Sequence, residues 1–125
     1  MRYISTRGNA PALSFSDVLL TGLAEDGGLY LPETWPEFSL SDWRALRGLP
    51  YPELAARVMA PFAAPDISFE TLKTLCERAY AGFSHPAVVP LTQVDDGLFV
   101  QELFHGPTLA FKDMAMQVLG HLFEH

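Results

Sequence analysis

The stretch from Glu102 to Asp113, ELFHGPTLAFKD, is the part of the sequence that most restricts the possible fold. Its Gly-Pro pair marks a loop, and the apolar residues that follow begin a helical segment with Lys112 at its start. Desolvation and the positive end of a helix both lower the pKa of a lysine amine, which favours nucleophilic attack. The pattern therefore indicates a reactive Lys112, with a solvated lysine at a helix start as the alternative.

The second lysine of the chain has a different setting. Lys73 stands three residues after Glu70 and four before Glu77, the spacing at which side chains on one helix form solvated ion pairs. Such a lysine stays protonated and is a poor nucleophile. Because the chain has only these two lysines, chemistry between an amine and an aldehyde is assigned to Lys112, with the terminal amine as the remaining competitor.

Upstream of the lysine stretch, the sequence predicts a β-hairpin. Two β-prone runs, 88–94 and 98–104, are joined by the turn residues Asp95, Asp96 and Gly97.

Downstream of the lysine stretch, a helix is predicted from Leu109 to Phe123, and it is apolar around most of its circumference. Its polar residues form one narrow stripe, Asp113, Gln117 and His121. A helix of this kind is expected inside a larger domain, and exposed apolar side chains favour association. We therefore expect chains of residues 1–125 to associate with one another through residues 109–123.

Four short helices are predicted before the hairpin. Ser14, three residues before Asp17, begins the first, and Ser41-Asp42 begins the second. Pro52 suits the first turn of a third. The fourth starts at Ser68 and has an apolar stripe, which consists of Phe69, Leu72, Leu75, Cys76, Ala79 and Tyr80.

A turn at Asp26-Gly27-Gly28 separates the first two helices, and a short extended segment, 29–31, follows it. Short helices combined with a hairpin predict an α+β fold.

Composition excludes several classes of function. The formal net charge is −7 and no basic block is present, which disfavours nucleic-acid and membrane partners. Cys76 is the only cysteine, so no intrachain disulfide is expected. The first residues lack a signal-peptide pattern, and a cytoplasmic protein is expected. His121 and His125 have no suitably spaced partners, so no metal site is predicted.

Two separate parts of the sequence resemble the same family. The hairpin and lysine loop, 90–113, are similar to the cofactor-lysine region of fold-type II pyridoxal-phosphate enzymes, and 102–113 has the form found in threonine synthases. The segments 3–8, 13–15 and 22–32 resemble the opening of threonine synthases, which other fold-type II enzymes do not share. The chain is thus similar to the N-terminal portion of that family.

The resemblance implies a particular domain organisation. Residues 1–85 would form the N-terminal domain, several short helices in an α+β arrangement. Residues 86–125 would supply the β-hairpin, the lysine loop and the first helix of an incomplete fold-type II α/β domain. The family's glycine-rich phosphate loop and its partner for the pyridine nitrogen would lie outside this sequence, so residues 1–125 alone are expected to be inactive.

The resemblance also implies a reaction and a set of residues that carry it out. The enzyme would convert O-phospho-L-homoserine and water to L-threonine and phosphate, with pyridoxal 5'-phosphate as cofactor. Lys112 would hold the cofactor and then move the α and β protons of the substrate. Phe111 and Thr108 would shape its surroundings. Asp113 would be either a polar neighbour of the cofactor or, as we favour, an acid in the first helical turn.

Substrate contacts are predicted at two places. Ser5, Thr6 and Arg7 place two hydroxyls beside a cation, which suits a carboxylate or a phosphate, although a surface ion pair is the alternative for Arg7. His105 is a further candidate, with a local hydrogen-bonding role as the alternative.

Two other readings of the sequence remain open. The first is a threonine-synthase-like lyase that acts on another phosphorylated amino acid. The second is a non-catalytic folding or interaction domain.

Overall fold

The computed structural model describes all residues from Met1 to His125, and its elements form an α+β arrangement, as predicted. In chain order they are β1 (Tyr3–Ser5), α1 (Phe15–Thr21), β2 (Tyr30–Pro32), α2 (Leu40–Ala45), α3 (Tyr51–Ala63), α4 (Phe69–Tyr80), β3 (Leu91–Asp95), β4 (Leu98–Gln101) and α5 (Asp113–Glu124). No helix is long and apolar enough to span a membrane.

The chain divides into two compact units. The first comprises Met1–Gly48 and Ala56–Leu72, and the second comprises Leu49–Ala55 and Lys73–His125. The domain boundary expected after residue 85 concerns a longer enzyme and stays a prediction.

Serine caps begin the first two helices in the first unit. Ser14 accepts a hydrogen bond from the Asp17 backbone N–H at 3.2 Å, which confirms the predicted start of α1. The second helix begins earlier than predicted. Ser39 caps it and exchanges hydrogen bonds with Asp42, so that Leu40, not Ser41, is the first helical residue.

A strand that the sequence analysis missed opens the first unit. β1 pairs antiparallel with β2, with Tyr3 opposite Pro32 and Ser5 opposite Tyr30. The Tyr3 hydroxyl donates to the Phe62 carbonyl oxygen at 2.8 Å. The extended segment predicted at 29–31 therefore has a partner nearly thirty residues earlier, which local sequence patterns do not reveal.

The predicted apolar stripe of α4 is buried except at Phe69, which is half-buried. Leu72, Leu75, Cys76, Ala79 and Tyr80 all have relative exposures of 8% or less. Burial raises the pKa of the Cys76 thiol to about 11, so this cysteine is an unreactive, small apolar residue.

Tyr80 connects α4 to α5 within the second unit. Its hydroxyl donates to the Met114 carbonyl oxygen at 3.0 Å, and its ring packs edge-to-face on Tyr51 with centroids 4.9 Å apart. This contact anchors the first turn of α5.

The predicted hairpin is present but shorter than expected. β3 and β4 pair with Leu91 opposite Gln101, and an irregularity between Gln93 and Asp95 shifts the register. The turn consists of Asp96 and Gly97, because Asp95 remains in the strand. All residues of both strands are exposed.

The last helix begins later than predicted. α5 starts at Asp113, whereas Leu109 has a left-handed backbone with φ of 62° and cannot be part of a right-handed helix. The polar stripe of α5 does not face solvent at its first residue, and apolar residues elsewhere on the helix are exposed. Asp113 is only 2% exposed, while Met116 and Phe123 are 54% and 55% exposed.

Candidate functional site

The loop that leads into α5 is organised by the carboxylate of Asp113. Its Oδ2 accepts hydrogen bonds from the Thr108 backbone N–H at 2.8 Å and from Thr108 Oγ1 at 2.9 Å. Its Oδ1 accepts one from Gln117 Nε2 at 3.3 Å. Burial alone would raise the pKa of Asp113, but these hydrogen bonds outweigh it and hold the pKa below its usual value. The ionised carboxylate thus holds Thr108 against the start of α5.

Gly106 packs directly on this carboxylate. A Cβ atom added to Gly106 would lie 2.8 Å from Asp113 Cγ and closer still to Asp113 Cβ and Oδ2. Those neighbours sit in a buried side chain that cannot move aside without breaking its hydrogen bonds to Thr108. The close approach of the loop to α5 therefore requires glycine at this position.

Leu109 adopts an unfavourable backbone conformation in the middle of the loop. A left-handed conformation costs a residue with a Cβ atom about 1–2 kcal/mol. Such a residue persists only where surrounding contacts hold it. The contacts here are the Leu109 N–H donating to the Gly106 carbonyl oxygen at 3.1 Å and the bonds from Thr108 to Asp113.

Lys112 stands at the N-cap position of α5, with an exposed side chain. Its amine makes no ion pair or side-chain hydrogen bond within residues 1–125. The neighbouring Phe111 and Leu109 are 65% and 71% exposed, as part of a loop, 107–112, that is exposed throughout. The sequence predicted a desolvated lysine, but no segment of these 125 residues covers it. Desolvation would have to come from chain outside this sequence.

His105 is held by hydrogen bonds on two sides. Its Nε2 lies 2.6 Å from Glu102 Oε2, and Glu102 Oε1 accepts a hydrogen bond from Thr92 Oγ1, also at 2.6 Å. The His105 carbonyl oxygen accepts one from the Ser84 N–H at 2.9 Å. The Thr92 hydroxyl, followed by His105, holds the pKa of Glu102 below its usual value. These bonds tie the hairpin to the start of the lysine loop.

Sequence reasoning missed Glu102 as the partner of His105, and Thr92 as the partner of Glu102. The signal was present in the hairpin register. Thr92 lies opposite Val100, and Glu102, two residues further along the chain, is its diagonal neighbour on the same face, within reach of a long side chain. A register assigned from the turn would have indicated this contact.

Ser5 lies in the first unit and is bonded to Asp26. Its hydroxyl, in a residue that is 5% exposed, donates to Asp26 Oδ1 at 2.7 Å. The same carboxylate accepts hydrogen bonds from the backbone N–H groups of Asn9 and Gly28, both at 2.9 Å. The Ser5 bond is the largest contribution that holds the pKa of Asp26 below its usual value. Ser5 therefore has a structural partner that the sequence analysis did not identify.

Thr6 and Arg7 contact the same turn. Thr6 Oγ1 accepts a hydrogen bond from the Leu29 N–H at 3.0 Å, and Arg7 Nη1 donates to the Asp26 carbonyl oxygen at 2.9 Å. Arg7 is exposed, and its partner is a neutral carbonyl rather than a carboxylate. Arg7 forms no salt bridge within residues 1–125, although it contributes to the lowered pKa of Asp26, and its guanidinium has further N–H donors for an anion.

The candidate residues thus fall into two groups, each described within its own unit. The first group lies in and beside the loop that leads into α5 and consists of His105, Thr108, Phe111, Lys112 and Asp113. The second group, Ser5, Thr6 and Arg7, surrounds the turn at Asp26. The other lysine was predicted to pair with Glu70 and Glu77 of its own helix, and it forms an ion pair with a residue of another helix. Lys73 Nζ lies 3.3 Å from Glu53 Oε2 in α3.

Comparison with known proteins gives one consistent answer. Residues 2–80 match the family model described as "Threonine synthase N terminus". The chain is 58% identical over its whole length to a threonine synthase from Pseudomonas aeruginosa, and it spans 27% of that relative. A threonine synthase-like 2 protein from Xenopus laevis is 37% identical over 126 residues, again with 27% of the relative covered.

A solved structure agrees with these sequence matches. The crystal structure of threonine synthase from Brucella melitensis with bound pyridoxal phosphate matches 99% of the chain with a TM-score of 0.96 and 53% identity. The chain covers 27% of that structure. The family model covers more than half of the chain, and the whole chain is similar to threonine synthases in sequence and in fold. The chain therefore belongs to the threonine synthase family.

Proposed function

We propose that this chain is the N-terminal part of a pyridoxal-phosphate enzyme that converts O-phospho-L-homoserine and water to L-threonine and phosphate. The observation that carries the proposal is the exposed Lys112 amine, free of ion pairs, on a loop whose sequence has the threonine synthase form. The chain spans only 27% of its relatives, so this activity belongs to the full-length enzyme and not to residues 1–125 alone.

The residues present fit the aldehyde end of pyridoxal phosphate. An accessible primary amine is the group with which an aldehyde combines, and Lys73 is not an equivalent because it is paired with Glu53. When bound, the cofactor withdraws electrons from the carbon atoms next to the substrate nitrogen. Lys112 would hold it, and Phe111 and Thr108 would line the place where it is held.

Lys112 would also act in proton transfer. Its Nζ would accept the α proton of the substrate and would serve in the later transfer at the β carbon. Arg7, with Ser5 and Thr6 beside it, would bind an anionic group of the substrate. His105 would provide a further substrate contact, oriented by Glu102.

The cytoplasmic location predicted from the sequence is part of the proposal. It is supported by the single cysteine, which is buried and unpaired.

An assay of the full-length enzyme on O-phospho-L-homoserine tests the proposal. Equal amounts of L-threonine and phosphate are expected. Phosphate release with a different organic product, or turnover only of another phosphorylated amino acid, would favour the threonine-synthase-like lyase, a reading to which the similarity with threonine synthase-like 2 gives some weight. No turnover of either kind would favour a non-catalytic domain. Residues 1–125 alone are expected to be inactive, because one lysine without a phosphate site cannot orient the cofactor ring.

Replacing Arg7 with alanine in the full-length enzyme is expected to raise KM for O-phospho-L-homoserine by about tenfold or more, with a smaller change in kcat. The reason is that the guanidinium would bind the anionic group equally in the ground state and the transition state. Arg2→Ala is the matched control, because Arg2 is an exposed arginine of the same segment whose nearest carboxylate is Glu33, 4.0 Å away. Steady-state kinetics measure both. An unchanged KM in Arg7→Ala would show that Arg7 does not bind the substrate.

Residues 1–125 are expected to self-associate through residues 109–123. Leu109, Phe111, Met116 and Phe123 are each more than half exposed, and burial of a large apolar side chain stabilises a complex by roughly 1.5–3 kcal/mol. Light scattering over a dilution series should show dimers or larger species that dissociate on dilution. Met116→Glu with Phe123→Glu should favour the monomer, whereas Leu20→Glu, at a 76% exposed position of α1, should not. A chain that is monomeric at every concentration would contradict the prediction.

A further inference from the structure

The loop from Gly106 to Lys112 has a conformation that its own residues do not favour. Leu109 has φ of 62°, and the loop is exposed from 107 to 112, so few apolar contacts stabilise it. The side chain that bonds the loop from inside is Asp113, and it is 2% exposed. Because the loop is strained and exposed, its conformation depends on the hydrogen bonds that it makes to the buried Asp113 carboxylate.

Lys112 lies within the segment 108–113, whose two ends are joined by hydrogen bonds to Asp113. The bonds from the Thr108 N–H and hydroxyl to Asp113 Oδ2 join the two ends of the segment 108–113, and Lys112 is the residue just before Asp113. The backbone of Lys112 therefore lies within a closed ring of chain. Any change in the bonds to Thr108 alters the place from which the amine extends.

The carboxylate itself has one arrangement available to it. Gln117 Nε2 donates a hydrogen bond to Oδ1 at 3.3 Å, and Thr108 donates to Oδ2. Gly106 packs so closely on the carboxylate that a Cβ atom at this position would not fit. Hydrogen bonds to an ionised acceptor are stronger than those to a neutral one, which suits a residue that must offset backbone strain. With both oxygens bonded inside the fold, little of the carboxylate is left for another ligand.

We infer that Asp113 is a positioning residue, which holds Thr108 and Leu109 in the left-handed turn and so sets the position of Lys112. Asp113 acts through the loop and makes no contact with the cofactor. The inference rests on the proposed role of Lys112 as the residue that holds pyridoxal phosphate.

Amide exchange in the cofactor-free full-length enzyme tests the loop directly. Asp113→Ala should accelerate exchange of the backbone amides of 108–112 by about tenfold or more, since the conformation loses the bonds that offset its strain. Asp66→Ala is the matched control. Asp66 also accepts a hydrogen bond from a distant backbone N–H, that of Ser16 at 2.8 Å, but it belongs to the first unit. It should leave exchange of 108–112 unchanged.

Rescue by glycine separates positioning from general stability. Leu109→Gly removes the cost of the left-handed conformation, so Asp113→Ala combined with Leu109→Gly should bind pyridoxal phosphate more tightly than Asp113→Ala alone. Asp113→Ala is expected to weaken cofactor binding by about tenfold, and the double variant should recover part of this loss. If Asp113→Ala does not fold, Asp113→Asn, which keeps the volume but not the charge, gives the same comparison with a smaller effect.

Three outcomes would overturn the inference. The first is that backbone amides of 108–112 exchange at an unchanged rate in the Asp113 variants. The second is that amide exchange accelerates equally throughout the second unit. The third is that Leu109→Gly does not restore cofactor binding in Asp113→Ala. These outcomes are distinct from a failure of the proposed function. If Lys112 does not hold the cofactor, Lys112→Ala would leave cofactor binding unchanged, whatever amide exchange in 108–112 showed.

Discussion

Lys112→Ala in the full-length enzyme is expected to abolish turnover and the visible absorbance of the bound cofactor. Lys112 would supply both the covalent attachment of the cofactor and the base that moves protons, and proton transfer by a positioned side chain alone contributes about 10²–10⁴-fold to a rate. Within residues 1–125, Lys73 is engaged with Glu53 in an ion pair, and the terminal amine donates a hydrogen bond to the Ala64 carbonyl oxygen. The loss of kcat should therefore be at least about 10³-fold.

The matched control is Lys73→Ala. It removes the other lysine of residues 1–125 and an ion pair that is partly exposed, which is worth at most about 1 kcal/mol. Its absorbance spectrum and kcat should resemble those of the unchanged enzyme. A yellow, active Lys112→Ala enzyme would refute the assignment of Lys112 as the lysine that holds the cofactor. A colourless Lys73→Ala enzyme would indicate that Lys73 holds the cofactor instead.

Gly106→Ala is expected to have the second largest effect, a fall in kcat/KM of about 10²-fold, because a displacement of a catalytic group by about 1 Å has consequences of that size. The added methyl group would overlap the side chain of Asp113, with its Cγ only 2.8 Å away. Either the loop moves away from α5 or Asp113 releases Thr108, and both displace Lys112. Steady-state kinetics and cofactor titration measure the effect.

Gly82→Ala is the matched control for this substitution. Gly82 follows α4 in a turn, is exposed, and has no atom within 4 Å of the place where a Cβ atom would be added. The same chemical change should therefore leave kcat/KM within about twofold, as expected for a surface substitution of a few tenths of a kcal/mol. Normal kinetics for Gly106→Ala would show that the loop tolerates a shift away from α5, and that its close packing is unrelated to the position of Lys112.

Much of the local structure could be predicted from spacing along the chain. The cap at Ser14 and the buried stripe from Leu72 to Tyr80 depend on contacts between residues three or four positions apart, which are adjacent on a helix whatever the remainder of the protein does. The hairpin was predicted for the same reason, since its turn brings neighbouring segments together. The choice of Lys112 over Lys73 stays a prediction, and the desolvation on which it partly rested is not present within residues 1–125, where Lys112 is exposed.

The roles of several candidate residues could not be predicted in this way. Ser5 appeared to be a free hydroxyl beside Arg7, but it donates to Asp26, which is 21 residues away in the chain. Asp113 was interpreted as an acid in the first turn of a helix, and it is the first residue of α5, but its burial and its bonds to the preceding loop were not predicted. In both cases the partner is selected by the path of the backbone, and the residue types alone allow many partners.

The sequence by itself determined the α+β class, the family and the lysine expected to react, because each is encoded in neighbouring residues or in a motif read along the chain. Only the tertiary structure decided that β1 pairs with β2, that α5 begins at Asp113, and that Leu109 takes a left-handed conformation. The physical reason is the same for all three. A short strand, a helix start and a strained residue each have small intrinsic preferences, of about 1–2 kcal/mol or less per residue, and hydrogen bonds formed in the folded chain are large enough to reverse them.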